Sequence, residues 1–237
     1  MKKYIILIIS LFLLVGCSNK DDNQLVMVTE AGFAPYEYYS NGEIVGVDID
    51  IAKEIAKTLG KELVVKDVYF DSIISELKTG KADFAAAGMS ITEERLEQVD
   101  FSIEYATSRQ VVVALKGSKI KSNNLDGKKI VVQTGSVAEI YFSDSKNITL
   151  VSQAKYANAL EDVKSKKVDC LVMDYLPAKE LVNANPDVEI LDGYVFEDKY
   201  GMAVKKGNTE LLDAINSTLY RLMDEGKIDE FTINHSK

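Results

Sequence analysis

The residue types that build many catalytic and metal sites are scarce in this 237-residue chain. It contains one histidine, His235, and two cysteines, Cys17 and Cys170. A histidine-based catalytic triad or a cluster of histidine and cysteine metal ligands is therefore not supported by the sequence. We expect no catalytic residues, no bound metal and no cofactor.

Positive charge is also in short supply. The chain has 28 lysines and arginines against 37 aspartates and glutamates, a formal net charge of −9. Nucleic acid is a poor partner for so acidic a chain. Since 46% of the residues are hydrophobic and 27% are charged, the composition is that of a globular protein, long enough for two modest domains.

The first 16 residues differ from the rest of the chain. Lys2 and Lys3 precede an almost wholly apolar run over residues 4–15, which ends at Gly16. This pattern is typical of a secretory signal and is too short for an ordinary membrane span. The alternative, an amphiphilic first helix of a cytosolic protein, is disfavoured because the run has no polar face. Removal of the segment would change the formal net charge to about −11.

Both cysteines have an interpretation. The sequence Leu14-Val-Gly-Cys17 resembles the lipobox of bacterial lipoproteins, in which the cysteine becomes the lipid-modified first residue of the mature chain. The polar residues 18–24 would then form a flexible tether. A lipidated Cys17 cannot form a disulfide with Cys170, which lies in an apolar run and is expected to be a buried thiol.

Strands and helices alternate along the remaining sequence. Residues 25–29 and 62–68 have the apolar character of strands, a helical spacing follows Asp50 and stops at Gly60, and a second helix begins at Phe70. Such alternation predicts an α/β fold in which mostly parallel sheets are flanked by helices.

A second copy of this pattern follows the first. Residues 77–84 and 163–170 match at an offset of 86 residues, each with a helix end, a turn and a strand. The offset places Gly88 and Asp174 just beyond equivalent strands, where open α/β sheets bind ligands. Two such edges facing each other would form a cleft. The alternative is a chance match between common helix-to-strand sequences.

Arg95 is unusual for its position. Thr92 is a candidate N-cap, and carboxylates follow it in the first helical turn, where they suit the helix dipole. A cation in the first turn, such as Arg95, is repelled by the positive end of the helix dipole unless an anion such as a carboxylate binds at the same position. The alternative is a surface ion pair with one of three acids: Glu94, Glu97 or Asp100.

Seven segments together carry a family resemblance. They are Gly32-Phe-Ala-Pro-Tyr-Glu-Tyr38, Gly46-Val-Asp-Ile-Asp50, Phe70-Asp-Ser-Ile-Ile74, Gly80-Lys-Ala-Asp83, Gly88-Met-Ser-Ile-Thr-Glu-Glu-Arg95, Val99-Asp-Phe-Ser102 and Gln133-Thr-Gly-Ser136. From about Leu25 onward the chain resembles the polar amino-acid-binding proteins of ABC importers, of the periplasmic-binding-protein type. The resemblance implies one lobe over residues 25–107 and 202–237 and a second over 108–201. Crossover segments are expected near 106–109 and 198–201.

The resemblance also implies a ligand site of nine residues. These are Arg95, Ser90 and the Ser136 backbone for the α-carboxylate; Asp174 and the Gly88 carbonyl for the α-ammonium; Phe33 and Phe70 as aromatic walls; and Glu30 and Gln133 at the distal end of the ligand side chain. The phenylalanines could instead be core residues, and Asp174 could be a helix cap before Pro177.

The implied function is that of a monomeric receptor, anchored outside the cytoplasm through Cys17, that delivers a free L-amino acid to a membrane permease. The family often has a small acid or asparagine at the position of Glu30 and a basic or neutral residue at that of Gln133. An unpaired glutamate favours a ligand that brings a donor, so arginine or lysine is expected first, with glutamine or histidine as alternatives. Two other functions remain open: a cyclohexadienyl dehydratase-like enzyme, with Glu30 as its acid, and an adhesin or sensor module.

Overall fold

The computed structural model describes residues 22–236. The predicted signal, Cys17 and most of the predicted tether lie outside this range. The first strand begins at Gln24, which is the last residue of that predicted tether. Among residues 22–236, no helix combines the length and apolar character needed to cross a membrane.

The described chain alternates strands and helices as predicted. The strands are β1 (Gln24–Thr29), β2 (Gly32–Phe33), β3 (Glu37–Ser40), β4 (Glu43–Val45), β5 (Glu62–Asp67), β6 (Phe84–Ala85), β7 (Val99–Phe101), β8 (Ala106–Leu115), β9 (Lys129–Gln133), β10 (Thr149–Gln153), β11 (Cys170–Asp174), β12 (Val188–Ile190), β13 (Phe196–Tyr200) and β14 (Ala203–Lys205). The helices are α1 (Val47–Leu59), α2 (Ile73–Lys78), α3 (Glu93–Leu96), α4 (Val137–Phe142), α5 (Tyr156–Lys164), α6 (Tyr175–Ala184), α7 (Thr209–Asp224) and α8 (Lys227–His235), with a 3-10 turn at Phe70–Ser72 before α2.

Two sheets form the cores of two lobes. The first has the strand order β5-β1-β6-β14-β7, and the second has the order β10-β9-β11-β8-β12 with β13 also paired to β8. A three-stranded sheet, β2-β3-β4, lies outside both. The first lobe thus contains strands from both ends of the described chain.

Both main sheets are mostly parallel, as predicted, and each is mixed because one strand, β14 or β8, runs against the others. In the first sheet β1 is parallel to β5 and β6, but β14 is antiparallel to β6 and β7. In the second, β9 is parallel to β10 and β11, but β8 is antiparallel to β11, β12 and β13. The reason is topological: β8 and β14 each enter their sheet from the other lobe, so they start at the edge where the parallel strands end.

The two crossings between lobes lie side by side. The predicted crossover segments are paired with each other in β8 and β13, where Ala106 faces Tyr200 and Arg109 faces Glu197. Next to this ladder, the Tyr105 N–H donates to the Tyr200 carbonyl at 3.0 Å and the Ser102 N–H donates to the Met202 carbonyl at 2.8 Å. The lobes are therefore joined by one hydrogen-bonded pair of strands.

The 86-residue repeat is confirmed by strand pairing. Phe84 in β6 is in parallel register with Met27 of β1, and Cys170 in β11 is in parallel register with Ile130 of β9. Each of β6 and β11 has an antiparallel strand on its other side. Cys170 is fully buried, as expected of a core thiol, and burial raises its pKa to about 12.

The sequence placed the start of helix α1 at Asp50, but the helix begins three residues earlier, at Val47. Gly46 occupies the N-cap position with φ 139° and no side-chain cap. A Cβ at Gly46 would lie 2.0 Å from the Tyr36 carbonyl oxygen, so only glycine fits this close approach. The helix ends as predicted at Gly60, which is left-handed with φ 64°.

Candidate functional site

A cavity lies where the two lobes meet. It is narrow and is lined by Glu30, Phe33, Glu37, Phe70, Ala87, Gly88, Gln133, Ser136, Val137 and Tyr156. Six of the nine predicted site residues are among these. The other three, Ser90, Arg95 and Asp174, do not line the cavity and are described below.

One end of the cavity is acidic. Glu30 is 2% exposed, and its Oε1 lies 3.0 Å from the Nζ of Lys155. Its Oε2 accepts a long hydrogen bond of 3.4 Å from the Gln133 side chain. Burial raises the pKa of Glu30, and the nearby ammonium of Lys155 opposes that rise. The sequence argument that Glu30 has no cation beside it was therefore wrong, because Lys155 reaches it from the other lobe.

A second buried acid, Glu37, was not predicted. It is 1% exposed and lines the same cavity. Its Oε2 has no hydrogen-bond partner among the described residues, and neither does Oε1 of Glu30, whose contact with Lys155 is an ion pair without hydrogen-bond geometry. Burial, reinforced by the charge of Asp48, places the pKa of Glu37 well above its usual range. Its surroundings therefore favour the protonated form of Glu37.

Asp48 connects this acid to the cleft edge. It accepts the Gly88 N–H at 3.0 Å and the Tyr105 hydroxyl at 2.7 Å. Burial raises the pKa of Asp48 to about 6, and these bonds and one to Glu37 limit the rise. A sequence pattern could have drawn attention to Asp48, since it lies in the Gly46–Asp50 segment that carried the family resemblance.

The aromatic walls come from both lobes. Phe33 stacks on Tyr156 with ring centroids 5.6 Å apart and an interplanar angle of 23°. Gly88 has φ 51°, and a Cβ there would lie 2.5 Å from the Phe33 ring. A larger residue at position 88 would therefore collide with the ring in its present position. Phe33 and Phe70 both also pack against hydrophobic clusters. The wall and core interpretations of these rings are thus compatible.

Arg95 is buried and bridges the lobes. As predicted, Thr92 caps α3, and its side chain accepts the Arg95 N–H at 3.3 Å. The Arg95 side chain is 4% exposed, which excludes the surface ion pair. Its Nη1 donates to the Ser90 carbonyl at 2.7 Å and its Nη2 to the Gly135 carbonyl, in the other lobe, at 2.8 Å.

The guanidinium of Arg95 also lies over a wall of the cavity. The centre of the guanidinium is 5.3 Å from the centroid of the Phe70 ring. Burial lowers the pKa of Arg95 to about 10, opposed by the charges of Asp198 and Asp174, so the group is cationic at neutral pH. A guanidinium has five N–H donors, and the two carbonyl bonds use two of them.

Asp174 and Ser90 are joined to the site through unpredicted residues. Asp174 is 5% exposed and accepts the hydroxyl of Tyr200. The Tyr200 ring would be 3.4 Å from a Cβ on Gly88, which puts Asp174 one side chain away from the cavity. Asp174 occupies the N-cap position of α6, but its side chain makes no capping bond. The helix-cap interpretation is therefore not supported.

Ser90 donates its hydroxyl to Asp198, another residue that the sequence analysis missed. Burial and the charge of Asp174 raise the pKa of Asp198 to about 7. Burial likewise raises the pKa of Asp174. The buried carboxyl of Asp174 and the half-buried carboxyl of Asp198 thus lie near Arg95, whose charge partly offsets theirs.

Ser136 and Gln133 lie where β9 turns into α4. Gln133 is the last residue of β9, and Ser136 caps α4 by accepting the Glu139 N–H at 3.2 Å. The Ser136 N–H, predicted to hold a carboxylate, donates instead to the Gln133 carbonyl at 3.1 Å. The turn brings both residues to the cavity but already uses this backbone donor.

In and beside the cavity, these groups combine a buried cation, buried carboxyls and aromatic rings. Arg95 can hold an anion, buried carboxyls can hold cations, and the rings enclose an aliphatic part. Among residues 22–236 there is no group of three or more histidine, cysteine, aspartate or glutamate side chains placed to hold a metal ion.

Comparisons with known proteins agree with this geometry. Residues 25–235 match the model of the bacterial extracellular solute-binding proteins, family 3. The arginine-binding extracellular protein ArtP of Bacillus subtilis (strain 168) is 31% identical over 248 residues, covering 97% of this chain and 96% of ArtP. The glutamine-binding protein GlnH of the same organism is 34% identical over 219 residues, covering 89% and 80%.

Solved structures share the fold. The substrate-binding protein AbpA from Streptococcus pneumoniae, bound to L-arginine, superposes with a TM-score of 0.84 at 36% sequence identity, covering 90% of this chain and 94% of AbpA. The fold is thus the α/β two-lobe fold of periplasmic binding proteins. Since the family model spans nearly all of the described residues, this chain belongs to family 3 of the bacterial extracellular solute-binding proteins.

Proposed function

We propose that this protein binds a free polar L-amino acid between its lobes, with arginine or lysine preferred, and delivers it to an ABC permease. The observation that carries the proposal is the pair of buried acids at the cavity: Glu37 has an oxygen with no hydrogen-bond partner among the described residues, and Glu30 is held only by the ion pair with Lys155 and a long bond from Gln133. A buried oxygen without a partner is costly. A guanidinium or ammonium on the ligand supplies the missing donors.

The amino-acid backbone of the ligand would be held by the groups beside the cavity. Its α-carboxylate pairs with the unused donors of Arg95, and its α-ammonium pairs with Asp174, which requires the Tyr200 hydroxyl to yield or share. Both ligand charges are strongly hydrated in water, so the site must replace that water with complementary charge to avoid a penalty of several kcal/mol per ion.

Ligand binding would favour contact between the lobes. Pairs that already bridge them include Arg95 with Gly135, Glu30 with Lys155 and with Gln133, and Phe33 with Tyr156. A ligand that touches groups from both lobes binds the closed arrangement better than an open one and so shifts the population toward it. The closed shape is what the permease would recognise.

A binding screen tests this function. Ligand binding raises stability by mass action, by about 2.7 kcal/mol at a ligand concentration 100 times the Kd. In thermal-shift measurements with the twenty amino acids, arginine or lysine should therefore give the largest rise in Tm. Calorimetry at low and moderate salt then compares the affinities for arginine, lysine, glutamine, histidine and glutamate. Tightest binding of glutamate would contradict the charge argument. Tightest binding of glutamine or histidine would support the alternatives suggested by relatives such as GlnH.

The competing enzyme function has a direct test. A dehydratase needs a general acid beside the leaving group, and Glu30 was its candidate. Burial raises the pKa of Glu30 in spite of the ion pair with Lys155, so the state of this acid does not separate the two functions and turnover has to be measured. Incubation with arogenate or prephenate should give no product, and turnover would overthrow the receptor function.

We also propose that the protein is a monomer held outside the cytoplasm by a lipid on Cys17, with lobes over 25–107 with 202–237 and over 108–201. The support for the anchor is the lipobox-like sequence before Cys17 and the extracellular character of the family. Expression of Cys17→Ala in a bacterial host should move the protein from the membrane fraction to the aqueous one. Equal partition of both proteins would contradict the anchor.

A further inference from the structure

Lys155 lies at the boundary of the cavity without being predicted by sequence. It occupies the N-cap position of α5, directly before Tyr156, which stacks on Phe33. Its Nζ reaches Oε1 of Glu30 at 3.0 Å, and it lies 5.8 Å from the centroid of the Tyr69 ring. One lysine in the second lobe thus contacts two residues of the first.

The acid in this pair is unusually buried. The Glu30 side chain is 3% exposed, whereas the carboxylates in the other ion pairs between described residues are at least 10% exposed. The Lys155 side chain is 39% exposed, so the lysine enters from the rim while its partner lies inside. An ion pair of this kind is less screened by solvent than a surface pair.

We propose that Lys155 is a specificity-determining residue that weakens the preference of the site for a cationic side chain over a neutral one of the same shape. The proposal rests on the proposed amino-acid binding. Lys155 occupies, from the opposite lobe, the place beside Glu30 that the cationic end of a ligand would take. A guanidinium must share that carboxylate with a like charge or displace it, whereas a neutral amide or ureido group can donate to it with Lys155 in place.

The surroundings limit the size of the effect. Lys155 is partly exposed, and the Tyr69 ring, itself 56% exposed, offers its ammonium another contact. Lys155 can therefore move aside at a modest cost. The Gln133 amide already donates to the other oxygen of Glu30, so the carboxylate retains one partner whichever cation is present.

Arginine and citrulline provide the matched ligands. They share the same backbone and nearly the same shape, and differ in a charged guanidinium against a neutral ureido group. In Lys155→Gln, the ratio of arginine to citrulline affinity measured by calorimetry should rise by about three- to tenfold relative to the wild type. The rise should shrink at higher salt. Lys155→Arg keeps the charge and should restore a ratio close to that of the wild type.

A control lysine, Lys167, follows the C-terminal end of α5 and does not line the cavity. Lys167 pairs with Asp162 at 2.9 Å, and Lys167→Gln should leave the ratio unchanged. A ratio within twofold of the wild type in Lys155→Gln, or a lower ratio, would overturn the inference while leaving the binding function intact. If the wild type binds no amino acid, the proposed function is wrong and this inference falls with it.

Discussion

Replacement of Arg95 by alanine is the most direct test of how the cleft holds a ligand. The side chain is 4% exposed and donates to carbonyls in both lobes at 2.7 and 2.8 Å. Truncation removes the cation expected to hold the α-carboxylate and one of the bridges between lobes. The fold should survive, because the lost bonds are few compared with the two hydrophobic cores.

The magnitude follows from the burial of the group. Loss of one partner in a buried, charged contact costs about 2–5 kcal/mol of binding free energy. Since 1.4 kcal/mol corresponds to tenfold in Kd, the Kd should rise by about 30-fold to several thousand-fold. Arg95→Lys keeps a charge but lacks the planar fork, so an intermediate loss is expected.

Calorimetry with the best amino acid, alongside circular dichroism to verify folding, measures this loss. Arg221→Ala is a matched control, because Arg221 is 41% exposed and pairs with Glu54 and Glu225, and none of these three residues lines the cavity. It should not change the Kd. A Kd for Arg95→Ala within fivefold of the wild type, in a protein with native dichroism, would refute the carboxylate role.

Three further predictions concern acids near the cavity. Asp174→Asn should strongly weaken the binding of amino acids but hardly change the binding of their deaminated analogues. An unchanged ratio of the two affinities would mean that Asp174 does not contact the α-ammonium. Glu30→Gln should weaken the binding of arginine more than that of glutamine, because the amide keeps a hydrogen bond to the ligand but not the ion pair. Equal losses of affinity would mean that Glu30 recognises the shape of the ligand and not its charge. In the folded protein the pKa of Asp198 is about 7, against an ordinary 3.8. Between about pH 4 and pH 7 the native state therefore keeps a proton that the unfolded chain has lost. The free energy of unfolding consequently falls as the pH rises through this range. Asp198→Asn should reduce the drop in Tm between pH 5 and pH 8, and parallel Tm curves would contradict this.

Local patterns carried a large part of the structure. The repeat placed Gly88 and Asp174 at equivalent strand ends, and the position of Arg95 at a helix start drew attention to it, although a surface ion pair remained open until the structure showed the side chain buried. Both inferences depend on residues close in sequence or on a repeated segment. For the same reason the N-cap at Thr92 and the glycine stop of α1 at Gly60 were confirmed.

What the sequence missed depends on tertiary contacts. Lys155 meets Glu30 only because the lobes touch, and no local pattern links the two. Tyr200 and Asp198 reach the site through the strand that crosses between lobes. The start of α1 was misplaced because Gly46 acts through a close backbone approach and not through a capping side chain.

The position of β14 has a consequence for synthesis of the chain. This strand lies between β6 and β7 in the first sheet, yet it is made after every strand of the second sheet. As the polypeptide emerges, β7 has no neighbour until Ala203–Lys205 arrive, whereas the second sheet is already complete. Vectorial emergence therefore favours early assembly of the second lobe, and the lobe that carries Glu30 and Arg95 is the last to acquire its full set of strands.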